Sequence, residues 1–395
     1  MSPVRNPHVH HIAELSDDEI FAAHESGKLS IRTARPLQTQ RDLSLCYTPG
    51  VARVCTAIAA EPGLARRFTG VGHTVAIISD GTAVLGLGDI GPRASLPVME
   101  GKAQLFDRFA GLNAIPIVLD ETDTDRLVEI IKALAPSFGA INLEDISAPR
   151  CFEVERRLID ELDMPVMHDD QHGTAVVILA ALHNACRLLE RDMADLRVVI
   201  SGAGAAGVAC GRILADAGAT DIIFLDSRGI IHEGRDDLNA VKKELAASTN
   251  PRGVTGGVMD AFAGADTFIG LSAGSIPEEA LRVMGEQPIL FSLANPDPEI
   301  DPTLAYRYGA VVATGRSDLP NQINNVLAFP GIFHGALAAG ASEITPEMKL
   351  AASRAIAKVA EEHLDVGHIV PSPLDAAVAP AVSKAVAAAW ATTTA

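Results

Sequence analysis

Residues 198–210 read VVISGAGAAGVAC, and this stretch decides the fold. An apolar run typical of a buried strand leads into Gly202, Gly204 and Gly207, which have G-x-G-x-x-G spacing and open a helical pattern. The glycine motif alone is a weak signal. However, the next apolar run ends at Asp226, about 20 residues after the third glycine, where a carboxylate can accept hydrogen bonds from a ribose. The stretch therefore predicts a βαβ unit that binds a dinucleotide.

Each glycine of the motif has its own predicted role. Gly202 permits the tight turn, Gly204 lets the backbone approach a pyrophosphate, and Gly207 lets the helix pack closely on the strand. The phosphates would lie at the helix N-terminus. Arg228 follows Asp226 by two residues, where a guanidinium could bind a 2′-phosphate. Both NAD and NADP therefore remain possible cofactors.

Strand and helix patterns alternate on both sides of this stretch. From residue 196 onward, apolar runs bounded by Gly and Asp are separated by helical patterns, which indicates a doubly wound parallel sheet. We expect an α/β protein with an N-terminal α/β domain at residues 1–165 and a Rossmann-type NAD(P)-binding domain at residues 166–395. The closing helices after Pro330 are candidates to pack back on the first domain.

Two local patterns in the first half of the chain predict turns. Two β-type runs flank Asp80 and Gly81, which predicts a hairpin. Pro165, a short apolar run and Gly173 indicate that residues 168–172 form a strand end and a turn. The long apolar helix that follows is then expected to begin near Thr174.

The composition excludes several classes of partner. A formal net charge of −18 over 395 residues argues against nucleic acid and against an anionic membrane surface. The five cysteines contain no C-x-x-C pair, and the N-terminus lacks the apolar core of a signal peptide. We see no apolar run long enough to span a bilayer. We expect a cytoplasmic homodimer or higher homo-oligomer that acts on a small molecule.

Two pairs of acidic residues follow short apolar strands. Glu144 and Asp145 end one strand, and Asp169 and Asp170 end another. Burying unpaired carboxylates costs several kcal/mol, so two such pairs at strand ends predict a shared cation. Oxygen ligands favour Mg²⁺ or Mn²⁺ over zinc. One of the two aspartates could alternatively cap the following helix.

A competing interpretation makes His168 and His172 zinc ligands on a helix. It requires both histidines on one helix face, whereas the sequence predicts a strand end and a turn there.

Lys102 lies in a largely apolar helix, where burial would lower its pKa and suit it to act as a general base. Tyr47 precedes the turn Thr48-Pro49-Gly50, a setting that is usually structural.

Taken together, these residues resemble the malic enzyme family, the NAD(P)-dependent decarboxylating malate dehydrogenases. The resemblance covers nearly the whole chain and is carried by eight blocks in the family's order. They read LCYTPGVA, LGLGDIGP, MEGKAQLF, NLEDI, HDDQHGTA, GAGAAG, ANPDPE and NQINNVLAFPGIF. The resemblance implies oxidative decarboxylation of L-malate to pyruvate and CO₂ with a divalent metal, and decarboxylation of oxaloacetate as well. The first domain would hold substrate and metal.

The resemblance also assigns roles to individual residues. It implies that Tyr47 is the general acid, that Lys102 is the general base and that Asp169 is the acid beside the lysine. The metal ligands and the asparagines that contact malate and the nicotinamide end of the cofactor would be Glu144, Asp145, Asp170, Asn295 and Asn325.

The chain departs from the family pattern at one position. Ala83 stands where larger members carry an arginine that grips the malate carboxylate. Asn295, Asn325, the metal and, more weakly, Arg93 are candidates to hold that carboxylate instead.

Alternative functions are a malolactic-type or other β-decarboxylating dehydrogenase, a non-catalytic dinucleotide-binding regulator, and a metal hydrolase built on the histidines.

Overall fold

The first of two sheets contains four parallel strands. The computed structural model describes residues 15–84, 86–295 and 297–393. Within them, the first sheet has the order β2-β1-β3-β4. Its strands are β1 (Thr74–Ser79), β2 (Asn113–Val118), β3 (Ala140–Leu143) and β4 (Val166–His168). Because β4 pairs with β3, this sheet extends to residue 168, past the expected boundary at residue 165.

Seven helices of the described chain precede or connect these strands. They are α1 (Asp17–His24), α2 (Gln40–Cys46), α3 (Gly50–Ala60), α4 (Ala65–Phe68), α5 (Pro92–Ala110), α6 (Thr124–Leu134) and α7 (Arg150–Glu161). Helix α5 stops at Gly111, which adopts the left-handed conformation that favours glycine.

The second sheet contains six strands in the order β10-β9-β8-β5-β6-β7. Every pairing is parallel except that of β6 with β7. The strands are β5 (Arg197–Ser201), β6 (Asp221–Asp226), β7 (Gly229–Ile230), β8 (Thr267–Gly270), β9 (Ile289–Ser292) and β10 (Val311–Thr314). This architecture confirms the predicted α/β class with a Rossmann-type sheet.

Nine further helices complete the described fold. They are α8 (Asp169–Leu188), α9 (Ala205–Asp216), α10 (Ala240–Ser248), α11 (Val258–Phe262), α12 (Glu278–Arg282), α13 (Pro302–Tyr308), α14 (Phe329–Ala339), α15 (Pro346–Ala360) and α16 (Val378–Thr393). The closing helix α14 packs on α5 of the first half. Phe106 of α5 meets Phe329 and Phe333 of α14 at ring-centroid distances of 4.8 and 5.5 Å.

Two local predictions are wrong. No antiparallel strand returns along β1 directly after Asp80 among the described residues, because residues 81–83 are bends and Val84 forms only an isolated bridge with Gly88. The helix α8 begins at Asp169 rather than near Thr174, directly after β4. Gly173 therefore lies inside the helix, where its missing side chain has a packing role described below.

The N-terminal helices expose an unusual amount of apolar surface. None of the residues of α1, α2 or α3 is buried. By length and composition alone, Gln40–Ala60 is apolar enough to cross a membrane, so the expectation that no such segment exists is wrong. In the structure, Tyr47–Pro49 separate this segment into α2 and α3.

Candidate active site

The carboxyl ends of β3 and β4 bring the four predicted acidic residues together. Because these parallel strands are neighbours, the residues that follow them emerge at the same edge of the first sheet. Ligand oxygens of Glu144, Asp145 and Asp170 all lie within 4.8 Å of one another. The backbone N–H of Asp145 donates to Oδ2 of Asp170 at 2.8 Å. Three side chains from two strand ends therefore face one point.

The three side chains fit a hard divalent cation. All three offer carboxylate oxygens, and Oδ2 of Asp145 is buried without a hydrogen-bond partner among the described residues. Asp145 also has a φ of 54°, a left-handed conformation rare for a residue with a side chain. Its neighbour Glu144 is held by a hydrogen bond from Asn142 at 2.8 Å. The cluster thus has unsatisfied acceptor capacity, which a cation would satisfy.

Burial and neighbouring carboxylates raise the pKa values of the clustered carboxyl groups. Burial raises the pKa of Asp145 to about 9, and the nearby Asp170 and Glu144 add to this effect. Burial also raises the pKa of Glu144, and it raises the pKa of Asp169 to about 7 and that of Asp170 to about 6. Lys102 opposes these shifts as a nearby cation. Asp145 therefore holds a proton at neutral pH that a divalent cation would displace.

Lys102 joins the cluster from α5. Its Nζ lies 2.5 Å from Oδ2 of Asp169 and 2.9 Å from Oε1 of Glu144, and its side chain is 7% exposed. Burial by itself would lower the pKa of Lys102, but Asp169, Glu144 and Asp170 outweigh it and raise the pKa. The expectation of a lowered pKa is therefore wrong for the cluster without a cation. A divalent charge on the carboxylates would reduce this effect.

A glycine creates the space for Asp169. A Cβ atom on Gly173 would lie 1.8 Å from Oδ1 of Asp169 and 3.2 Å from Cβ of Asn325. The side chains of Asp169 and Asn325 therefore both lie over Gly173. The neighbouring Asn324 caps the short helix that begins at Asn325, since its side chain accepts from the N–H of Val326 at 3.0 Å.

The two histidines differ in their contacts, since both ring nitrogens of His168 lack a hydrogen-bond partner among the described residues. Nε2 of His172 contacts Glu155 at 3.0 Å, and its Nδ1 contacts Lys349 at 3.1 Å, so both ring nitrogens are engaged. His168 is fully buried, and its Nδ1 lies 3.7 Å from Asp170. His172 lies in α8 whereas His168 ends β4, so the two histidines do not share a helix, and neither belongs to the group of converging ligand atoms.

The glycine-rich turn lies at the carboxyl end of β5, as predicted. Gly202 has a φ of 115°, and a Cβ on Gly207 would lie 1.9 Å from the carbonyl oxygen of Gly202. Gly204 is the N-cap residue of α9, and a Cβ there would meet nothing within 4 Å. A cavity of about 620 Å³ opens beside this turn. Its lining also includes residues at the ends of β6 and β8, at the start of α10 and before α13, which are Asp226, Leu271, Ser272, Asn239, Lys242 and Glu299.

Asp226 has cationic partners that the sequence did not reveal. Arg235 binds both of its oxygens, at 2.8 and 3.1 Å, and Nζ of Lys242 lies 2.6 Å from Oδ2. Partial burial would raise the pKa of Asp226, but these hydrogen bonds lower it. The predicted Arg228 side chain is 70% exposed and pairs with Asp237 at 3.1 Å. Sequence spacing offered no signal for Arg235 or Lys242, because their approach depends on the loop after β6.

Other predicted residues lie in different settings. The Tyr47 side chain is 66% exposed and forms no hydrogen bond with any residue that the structure describes. Asn295 packs its amide against Gly315, where a Cβ would lie 2.6 Å from Nδ2. Ala83 donates its N–H to the carbonyl of Asp145 at 3.0 Å, whereas Arg93 is exposed.

The glycine-rich turn and the doubly wound sheet define a dinucleotide-binding protein, and comparison with known proteins gives its family. Residues 26–159 match the malic enzyme N-terminal domain, and residues 171–394 match the malic enzyme NAD binding domain. The chain is 55% identical to the NAD-dependent malic enzyme of Geobacillus stearothermophilus, covering 93% of this chain and 78% of that protein. It is 51% identical to the bifunctional malic/malolactic enzyme of Bacillus subtilis, covering 91% and 89%.

Solved structures agree with this assignment. The NAD-dependent malic enzyme of Thermotoga maritima matches with a TM-score of 0.89 and 45% identity, covering 95% of this chain and 99% of that one. The malic enzyme of Pyrococcus horikoshii matches with a TM-score of 0.92 and 43% identity, covering 95% and 91%. The chain belongs to the malic enzyme family. It is an NAD(P)-dependent oxidoreductase of the class that oxidatively decarboxylates malate.

Proposed function

We propose that the residues around Lys102 carry out a divalent-metal-dependent conversion of L-malate and NAD(P)⁺ to pyruvate, CO₂ and NAD(P)H. One observation carries this proposal: the Lys102–Asp169 pair adjoins three converging carboxylates at one sheet edge. The family assignment supports the substrate. A non-catalytic regulator would have no need for a buried lysine beside these acids.

Glu144, Asp145 and Asp170 would hold Mg²⁺ or Mn²⁺. Hydride would pass from C2 of malate to the nicotinamide, and a bound ion would supply Lewis acidity that stabilises the negative charge developing on the oxidised substrate as CO₂ leaves. With a cation held by these acids, malate would lie beside Lys102, because that lysine contacts Glu144 at 2.9 Å. The same chemistry would extend to oxaloacetate.

Lys102 would take the proton from the C2 hydroxyl of malate. Asp169 contacts Nζ of Lys102 and orients it. The ring of Phe329 covers another side of the lysine, with Nζ 4.3 Å from the ring centroid. The ring shields this side of Nζ, and the Lys102 side chain is buried. Asn325 adjoins Asp169, which supports its role in holding malate, and Asn295 would contact malate or the nicotinamide end.

Tyr47 would deliver the proton to C3 from a second copy of the chain. The Tyr47 hydroxyl has no partner among the described residues, and the surrounding segment exposes large apolar side chains. They include Leu15, Ile20, Phe21, Leu29, Ile31, Leu37, Leu43 and Leu45. A homodimer would cover this face and bring Tyr47 to the partner's Lys102. A segment covered by a second subunit would not be embedded in a membrane, which supports a cytoplasmic enzyme. Fractionation of cells would test this location.

The surroundings of Asp226 favour use of both cofactors. Because Arg235 and Lys242 neutralise its carboxylate, Asp226 would repel a 2′-phosphate less than a free carboxylate does. Lys242 also lines the cavity, so its ammonium would contact a 2′-phosphate directly. The Asp226 carboxylate keeps the family's acceptor position for a ribose.

A spectrophotometric assay tests the proposal. Purified protein with L-malate and Mn²⁺ should reduce NAD⁺ and NADP⁺, and excess chelator should stop both reactions. A malolactic reaction is the second candidate, because the similar Bacillus subtilis protein is named a bifunctional malic/malolactic enzyme. Lactate formed without accumulation of reduced cofactor would favour it. No consumption of malate with either cofactor would contradict both.

A further inference from the structure

A buried hydrogen-bond network lies behind the acidic cluster, and the proposed reaction does not use it. Its centre is Glu155 on α7, which is 6% exposed. Oε1 of Glu155 accepts from the backbone N–H of His168 at 2.7 Å. Oε2 accepts from Nε2 of Gln171 at 3.1 Å and contacts Nε2 of His172 at 3.0 Å. One carboxylate from another helix therefore binds the strand end and the first turn of α8.

The three donors bracket the two aspartates in sequence. His168 precedes Asp169 and Asp170, while Gln171 and His172 follow them. Residue 168 is the N-cap of α8, but its side chain makes no capping hydrogen bond. In a capping box, a glutamate within the same helix accepts the N-cap residue's own backbone N–H. Glu155 does this from α7, so the position of the first turn depends on a neighbouring helix.

Lys349 extends the network to α15. Its Nζ lies 3.1 Å from Nδ1 of His172. An ammonium group only donates, so Nδ1 accepts and the Nε2–H of a neutral His172 donates to Glu155. The imidazole thus connects the cation of one helix with the anion of another.

The acidic cluster explains why this turn needs an anchor. Asp170 lies beside Glu144 and Asp145, and when these carboxylates are ionised without a cation their repulsion acts to move the first turn of α8 away from β3. Donors bound by Glu155 oppose that movement from behind, on both sides of the two aspartates. None of the contacts of Glu155 is with the four acids themselves.

We propose that Glu155 is a positioning residue for the metal site, which fixes the first turn of α8 so that Asp170 faces Glu144 and Asp145. Lys349 supports it through His172. This inference rests on the proposed metal site. Loss of a group that orients metal ligands typically weakens metal affinity about 10- to 100-fold. We therefore expect Glu155→Ala to raise the Mn²⁺ dissociation constant by that factor.

The test measures Mn²⁺ binding directly, by titration calorimetry and by the electron paramagnetic resonance signal of free Mn²⁺, without substrate or cofactor. Glu155→Gln keeps one acceptor oxygen and should fall between wild type and Glu155→Ala. Lys349→Met should weaken binding by a few-fold, since His172 loses a partner. The matched control is Glu161→Gln, which removes a carboxylate of α7 that contacts Lys132 at 2.6 Å and not α8.

A purely structural role is separated by two further measurements. The NADPH dissociation constant, measured by fluorescence, should stay within about twofold of wild type in the Glu155 and Lys349 variants. These residues are proposed to orient the metal ligands and not the cofactor site. In turnover assays the Mn²⁺ concentration for half-maximal rate should rise more than kcat falls.

The outcomes are distinguishable. If wild type fails to bind Mn²⁺, the metal site itself is wrong and this inference falls with it. If wild type binds Mn²⁺ and Glu155→Ala binds it equally tightly, only the positioning role is wrong. If the alanine variant does not fold, Glu155→Gln takes its place in this comparison. Equal weakening in Glu161→Gln would also overturn it.

Discussion

Nζ of Lys102 and Oδ2 of Asp169 are 2.5 Å apart, although the two residues lie on different helices and 67 positions apart in the chain. The pair is buried, and Glu144 contacts the same ammonium at 2.9 Å. One cation thus faces more than one acid. The pair has the components of a proton-transfer site, and its titration is coupled to the remaining acids.

Metal binding should release protons. Because the pKa of Asp145 is raised to about 9, this ligand carries a proton at pH 7 that Mn²⁺ must displace. We expect roughly one proton released per Mn²⁺ at pH 7, and metal affinity that rises with pH up to about the pKa of Asp145. Calorimetry in buffers of different ionisation enthalpy measures this number. Binding that is independent of pH between 6 and 9 would contradict the raised pKa values.

Asp170→Asn should remove metal activation. A neutral amide is a poorer ligand than a carboxylate, so we expect Mn²⁺ affinity to fall on the order of 100-fold or more. The comparison variant is His172→Ala, which removes one donor to Glu155 and should keep metal dependence with a smaller loss. Complete loss of metal binding in the histidine variant would revive the histidine-ligand interpretation.

Lys242→Ala should weaken NADP more than NAD. Its ammonium is the cation of the cavity lining beside Asp226, and a charge-assisted hydrogen bond contributes about 1.5–3 kcal/mol, or roughly tenfold or more in KM. Arg228→Ala should show the same preference with a smaller effect, because that side chain is 70% exposed. Steady-state kinetics with both cofactors test this. Equal losses for NAD and NADP would show that neither cation reads the phosphate.

Tyr47 and Lys102 should separate the two halves of the reaction. Lys102→Ala should suppress malate oxidation by on the order of 10²- to 10⁴-fold. Tyr47→Phe should still reduce oxaloacetate but fail to exchange the methyl protons of pyruvate with deuterium in the presence of Mn²⁺. Circular dichroism controls for unfolding, and exchange at the wild-type rate would make the tyrosine structural.

Mixing the same two variants tests where Tyr47 acts. If Tyr47 serves the partner's site, each mixed dimer holds one complete site, and an equal mixture with subunit exchange should recover about a quarter of wild-type activity. Each variant incubated alone is the control. No recovery, despite mixed dimers detected by differently tagged chains, would place Tyr47 in its own subunit's site.

Gly173→Ala should disable the enzyme through packing alone. The added Cβ would lie 1.8 Å from Oδ1 of Asp169, so Asp169 must move away from Lys102. Overpacking of this kind costs about 1–3 kcal/mol of unfolding free energy. Gly63→Ala, where a Cβ meets nothing within 4 Å, is the control. Wild-type turnover and thermal stability in Gly173→Ala would contradict the close approach.

Local patterns predicted much of the fold. The strand, glycine turn and helix of residues 198–210 depend on neighbours in sequence, and so does the end of α5 at Gly111. The hairpin at Asp80 was wrong because β1 is paired on both sides by β2 and β3, which leaves no edge for a returning strand.

The candidate site was only partly accessible from sequence. Acids at strand ends could be recognised, because parallel strands deliver their ends to one edge. The direction of the Lys102 pKa shift could not, since it depends on three carboxylates from distant segments outweighing burial. For the same reason Glu155, Arg235 and Lys242 gave no local signal. Their partners are fixed by tertiary packing.

The direct passage from β4 into α8 makes this part of the chain intolerant of insertions and deletions. His168 ends the strand and Asp169 begins the helix, so no loop residue lies between them to absorb a change in length. One extra residue ahead of Asp169 would turn every following side chain by about 100° around the helix axis. Asp170 would leave Glu144 and Asp145, and Asp169 would leave Lys102. We expect length variation among related chains to be confined to surface loops, such as residues 249–257 between α10 and α11.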